Sequence, residues 1–187
     1  MQTDSDDWEE IWDARIAAVS EALGGSDMVN GFHAPHPFAL GGQADVLVFA
    51  HLGGRAYVTA DLTGKPTMLY ADYELMVCHR DHETLWGADI VSRLAPYTQQ
   101  AHICSGETMD LDNASPPGSA IKALLFDTYR AFRMFGQTFE LRLCLGITAD
   151  ELQFKFDHGA GTLLVKLKQA RVYPFTDLDR RSVLLRS

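Results

Sequence analysis

Across residues 139–147 (Phe-Glu-Leu-Arg-Leu-Cys-Leu-Gly-Ile) every second side chain is apolar, which is the period of a strand with one face on a core. Phe139, Leu141, Leu143, Leu145 and Ile147 form the predicted buried face. Thr148 then stands where a helix N-cap belongs, and Glu151 lies three residues on. Hydroxyl and carboxylate can each take up a backbone N–H of the first turn, so a helix is predicted to begin there. Gly159 and Gly161 are expected to stop it, and Leu163, Leu164 and Leu167 give a second apolar stripe at helical spacing.

Similar periodicities continue on either side. Trp8, Ile11, Trp12, Ile16, Val19 and Leu23 predict an amphipathic first helix, with Asp6 and Glu9 as its capping box and Gly24-Gly25 as its end. Residues 44–51 and 55–61 predict two strands joined as a hairpin at Gly53-Gly54. In residues 73–79 both alternating faces carry apolar groups, which predicts a strand inside a sheet covered on two sides. Trp86, Ile90, Leu94 and Tyr97 recur at helical spacing, with Pro96 marking the end of that helix. Residues 28–43 and 105–119 are expected to be irregular, 121–126 a short apolar run and 129–136 a loop. A last short strand is expected at residues 172–175. No repeat or long linker divides the chain, so its 187 residues predict one domain.

Composition narrows the function. A hydrophobic fraction of 47% can furnish a core, yet no apolar run approaches the roughly 20 residues of a membrane span. The acidic start is unlike a basic signal or transit peptide, so a cytosolic protein is expected. A formal net charge of -9 argues against a nucleic-acid ligand and permits a basic protein partner. The acidic run Asp4, Asp6, Asp7, Glu9, Glu10 and Asp13 reads as a solvated helix start that complements the helix dipole, with a docking site as the alternative. Residues 177–181, Asp-Leu-Asp-Arg-Arg, read as a solvated ion-pair cluster or as charges that orient the terminal segment.

Candidate chemistry is sparse. Pro35 and Pro37 prevent the helix that puts His33 and His36 on one face, so no metal site is expected there. Lys65 lacks the flanking residues of a phosphate loop. Cys78, Cys104 and Cys144 have no metal-site spacing and sit beside apolar residues, so all three are expected to be buried thiols. His102 two residues before Cys104 does not by itself make a catalytic pair. The carboxylates Asp61, Asp89, Asp110, Asp112, Asp127, Asp177 and Asp179 are scattered. The lack of a concentrated polar motif favours a binding module over an enzyme.

The order of several short motifs resembles the suppressor of fused family. They are Tyr73-Glu74-Leu75-Met76-Val77, Trp86, Leu94-Ala95-Pro96-Tyr97, Cys104-Ser105-Gly106-Glu107, residues 146–152 (Gly-Ile-Thr-Ala-Asp-Glu-Leu), 159–164 (Gly-Ala-Gly-Thr-Leu-Leu) and 176–183 (Thr-Asp-Leu-Asp-Arg-Arg-Ser-Val). The likeness spans roughly residues 44–185 and points to the single-domain bacterial branch, which corresponds to the N-terminal domain of the animal protein. It implies an α+β fold with a mixed central sheet flanked by helices, no catalytic activity and no cofactor.

Animal members clamp a short peptide of a zinc-finger transcription factor as an added strand, between two domains. Bacterial relatives are often proposed to be immunity proteins of polymorphic toxin systems. The acidic balance fits a basic toxin domain, since opposite charge speeds encounter. The resemblance maps the animal peptide-site Tyr and Asp onto Tyr97 and Glu107 as partner-binding residues, with Glu in place of Asp. The alternative is that Tyr97 packs under its helix and Glu107 is solvated. Cys104 is expected to be structural. The implied function is a non-enzymatic protein-binding domain, an immunity protein that neutralises a toxin. A peptide-binding adaptor and a small metal-dependent hydrolase built around His33, His36 and acidic-loop residues are the alternatives.

Overall fold

The computed structural model describes residues 3–80, 84–112 and 114–185. Its centre is a long antiparallel hairpin, β6 (Ile121–Met134) and β7 (Gln137–Thr148). The predicted inward row of β7 is 0–1% exposed at Phe139, Leu141, Leu143, Leu145 and Ile147. Removing each such side chain from water stabilises the fold by about 1.5–3 kcal/mol.

Before these strands come α1 (Thr3–Ala22), β1 (Met28–Phe32), β2 (Val46–His51), β3 (Gly54–Thr59), β4 (Tyr73–His79), α2 (Trp86–Leu94) and β5 (Thr108–Asp110). After them come α3 (Ala149–His158) and α4 (Ala160–Gln169). The strands form one seven-stranded sheet in the order β1-β2-β3-β4-β7-β6-β5. Only β4 and β7 run parallel, with Tyr73 opposite Glu140 and Met76 opposite Leu143, so the sheet is mixed. The fold is α+β. On one face α1, α3, α4 and the C-terminal segment cover a core that includes Met76, Leu143, Leu163, Leu167 and Phe175. On the other, α2 covers Tyr73, Leu75, Val77, Leu124 and Phe126. All seven residues of β4 are buried, as the apolar groups on both its faces predict.

Local signals hold at several points. Thr148 and Glu151 form the capping box of α3, and Gly159 ends that helix. Gly161, however, lies within α4 rather than stopping a helix. The β2–β3 hairpin forms, but it turns through Leu52 and Gly53, with φ of 49° and 77°, and Gly54 opens β3 rather than sharing the turn. Positive φ at both central residues matches the twist of the flanking strands. The first helix starts at Thr3, so Asp6 lies inside it and not at its N-cap. Its inward stripe is Ile11, Arg15, Val19 and Leu23 at successive four-residue steps, with the charged Arg15 only 5% exposed.

Further expectations are corrected, among them that of irregular residues 105–119, where 108–110 form β5 on the edge of β6. Residues 28–43 are not wholly irregular, because 28–32 form β1 on the edge of β2. Asn30 and Gly31 are poor strand formers, and the ladder to β2 overrides them. Residues 129–136 are not a loop: β6 runs on to Met134 and turns through Phe135 and Gly136, at φ of 50° and 74°. The register shifts between Thr128 and Arg130, so the inward positions change from Ala123 and Leu125 to Phe132 and Met134. That bulge breaks the alternation on which a sequence reading depends.

Residues 172–175 do not make a strand; Phe175 forms a single bridge to Cys78. The charges after them are not all solvated. Arg180 is 9% exposed and pairs with the fully buried Glu151. Gly146 makes room for this segment, since a Cβ there would lie 2.6 Å from the Thr176 methyl group.

Candidate functional site

A groove of about 410 Å³ opens at the β5 edge of the sheet. Its buried lining is Ile103 and Phe126, and around them stand Tyr97, His102, Glu107, Met109 and Lys155. The two residues singled out in the sequence, Tyr97 and Glu107, therefore line one concavity.

Each is held by a local device. After α2 the chain tightens into a 3-10 stretch, Ala95–Gln99, which carries Tyr97. Tyr97 is 43% exposed, so it does not pack under its helix. The chain then reaches Ile103, whose N–H donates to the Tyr73 hydroxyl at 3.0 Å. At the following turn Glu107 N–H donates to the Cys104 carbonyl at 3.3 Å. The Glu107 carboxylate folds back and accepts from Cys104 N–H at 2.8 Å. It is thus exposed but not simply solvated. Gly106 N–H donates to the Phe126 carbonyl at 2.8 Å, and Phe126 N–H donates to the Glu107 carbonyl at 3.0 Å, which fastens the turn to β6.

β5 follows at once and ends the sheet. Leu111 N–H donates to the Lys122 carbonyl at 2.9 Å, so residues 107 and 111 both bond toward β6. The alternation of an antiparallel ladder then turns the backbone groups of Thr108 and Asp110 away from β6. Lys155 reaches in from α3 and donates to Thr108 Oγ1 at 3.3 Å. The groove combines an apolar floor, a carboxylate, an ammonium, an exposed phenol and a row of outward backbone groups. That set suits an extended peptide better than a small apolar ligand.

Of the remaining candidates His102 lines the same groove, and the others are dispersed. His102 packs against Tyr73 at 5.2 Å between ring centroids and lies 3.8 Å from Asp72 Oδ1. Cys104 is exposed, which corrects the expectation of three buried thiols; the turn it opens carries no apolar cover. Cys78 and Cys144 are buried, and burial pushes both thiols up, that of Cys144 to about 12. His33 Nδ1 sits 2.7 Å from Asp45 Oδ2. Among the described residues no group of three or more His, Cys, Asp or Glu side chains has the geometry to hold a metal ion. Among the described residues, too, no helix is long and apolar enough to cross a membrane.

Lys155, Phe126 and Met109 also line the groove, although the sequence did not single them out as site residues. Lys155 comes from a helix far along the chain and carried no local signal. Met109 did stand out as one of two large apolar groups in a polar segment.

A family model for the suppressor of fused protein (SUFU) matches residues 26–181. A search of curated protein sequences gave no significant match. Among solved structures, a chain of the Sufu-Fu complex crystal structure superimposes with a TM-score of 0.78 at 15% identity, covering 92% of each chain. The crystal structure of Drosophila Suppressor of Fused matches with a TM-score of 0.73 at 14% identity, over 94% of this chain and 52% of that one. The chain thus spans about half the length of the Drosophila protein.

Proposed function

Because the chain belongs to the suppressor of fused family, a non-enzymatic protein-interaction family, we propose that it is a protein-binding domain whose β5-edge groove takes an extended segment of its partner. The observation that carries this is the placement of Tyr97 and Glu107 on one groove beside the outward backbone groups of Thr108 and Asp110. A segment laid along β5 gains main-chain hydrogen bonds from that edge, while Ile103 and Phe126 offer an apolar seat for its alternate side chains. Tyr97 closes one side of the groove. Glu107 and Lys155 fix direction and register by charge. The similarity to a chain of the Sufu-Fu complex supports a protein partner.

The finer reading is an immunity protein that occludes a basic toxin domain. The net charge of -9 supports it, since opposite charge raises encounter rate and disfavours acidic competitors. One experiment addresses both levels. Partners are captured on the tagged protein from lysate of its source, and each is titrated against the wild type and the Tyr97→Ala and Glu107→Ala variants. A partner that loses tenfold or more in affinity with either variant places the contact in the groove. Inhibition of that partner's toxic activity supports the immunity reading. A partner indifferent to both substitutions overturns the groove.

A further inference from the structure

Away from the β5 edge, a second cavity of about 320 Å³ lies between α1 and the segments flanking β2 and β3. Three aromatic residues line it. Trp8 and Tyr70 are 47% and 42% exposed, whereas Phe38 is buried and meets Tyr70 edge-on at 5.0 Å between centroids. Asp45, Asp61 and Arg15 supply its charge.

The charges do not balance. Arg15 lies 3.3 Å, through Nε, from Oε1 of the fully buried Glu74 and also donates to the Thr63 carbonyl, so its charge already has a partner. Asp45 accepts from Ala34 N–H at 2.7 Å and faces His33 Nδ1 at 2.7 Å. Asp61 accepts from Asp45 N–H through Oδ2 at 2.6 Å. Its other oxygen, Oδ1, makes no hydrogen bond or ion pair among the described residues. Burial, the largest influence, raises the pKa of Asp61 and the neighbouring Asp45 charge adds to that, while the Asp45 N–H bond, Arg15 and His33 act in the opposite direction. An anion meets the two carboxylates there, and a neutral apolar guest leaves Asp61 Oδ1 without a partner. A cation relieves the excess charge and meets aromatic faces that attract it.

We infer that this cavity receives a basic side chain of the protein partner, with Asp61 as counter-ion and Trp8, Phe38 and Tyr70 as its aromatic wall. The inference rests on the protein-binding reading and gives the partner a chemistry: an arginine or lysine presented to the α1 side. Charge complementarity singles out a basic protein over other occupants, since Glu9 stands exposed on the same helix, Glu10 being paired with Lys65 at 2.6 Å, and the chain carries a net charge of -9.

The test needs no partner. Nα-acetyl-arginine amide is titrated into the labelled full chain and followed by two-dimensional NMR, with Nα-acetyl-citrulline amide as its neutral near-isostere and putrescine as a free small cation. Saturable shifts at the Trp8 indole and at the Asp45 and Asp61 amides are expected for the arginine compound, with citrulline at least tenfold weaker. Asp61→Asn is expected to weaken arginine at least tenfold, and Trp8→Ala, at an exposed position, severalfold. Equal binding of arginine and citrulline, shifts confined to other surfaces, or no response overturns the inference. Putrescine binding tighter than arginine overturns the partner side chain as occupant. A silent cavity leaves the β5 groove untouched, whereas a partner indifferent to Tyr97 and Glu107 counts against the groove and not against the cavity.

Discussion

Arg180 grips Glu151 with both prongs: Nη1 donates to Oε1 and Nη2 to Oε2, each at 2.6 Å, in a place where the side chains are 7% and 0% exposed. The same carboxylate accepts from Thr148 N–H and Val183 N–H at 2.9 Å, and Arg180 also donates to the Gly146 carbonyl at 3.0 Å. One residue thus caps α3 and ties the C-terminal segment across the end of β7.

Removing one member of this pair leaves the other charge buried without compensation, which costs about 3–5 kcal/mol. Arg180→Met is therefore expected to lower the unfolding free energy by that amount in urea titrations. The double change Glu151→Leu with Arg180→Met recovers part of the loss, but not the capping contribution of about 1 kcal/mol. A single variant as stable as the wild type refutes the structural weight given to the pair.

Leu143 sits on β7 opposite both Met76 and Asp127 and is 0% exposed. Leu143→Asp places a charge in the core face at a cost of several kcal/mol, comparable to the whole stability of a domain. Loss of the cooperative thermal transition is expected. A soluble variant that melts cooperatively near the wild-type temperature contradicts this.

His51 is buried, with Nε2 2.8 Å from the Tyr129 hydroxyl, and burial lowers its pKa below the ordinary value of 6.5. The folded state holds it neutral while the unfolded chain takes up a proton. Its contribution is present above pH 6.5 and is lost as pH falls through the lower folded value. Between pH 7 and 5 the wild type is expected to lose more stability than His51→Gln, with a difference in slope of at most about 1.4 kcal/mol per pH unit. Parallel stability curves for the two proteins count against it.

Cys104 is exposed and the other two thiols are buried. A thiol-specific chromogenic disulfide should modify one cysteine per native chain within minutes and all three after denaturation. Cys104→Ser is expected to abolish the fast phase. A fast phase that survives that change would place reactivity on Cys78 or Cys144.

The sequence by itself determined those elements whose signal is local. β7, β4, the β2–β3 hairpin, α2 and the Thr148–Glu151 cap were legible because side-chain period and capping spacing are properties of short windows. The order of motifs also carried the family, and with it the expectation for Tyr97 and Glu107, which line one groove. The tertiary structure alone decided the rest. β1 exists because β2 offers it a ladder, not because Asn30 and Gly31 favour a strand. β6 continues past Thr128 because pairing with β7 outlasts a bulge that reverses its inward face. Arg15, Glu151 and Arg180 are polar in any window of sequence, and only distant partners make their burial tolerable. Lys155 joins Tyr97 and Glu107 on one groove, and Asp61 and Trp8 line one cavity, through crossings of the chain that no local pattern records. Periodicity states which side of an element turns inward; which elements meet there is set by the topology of the sheet.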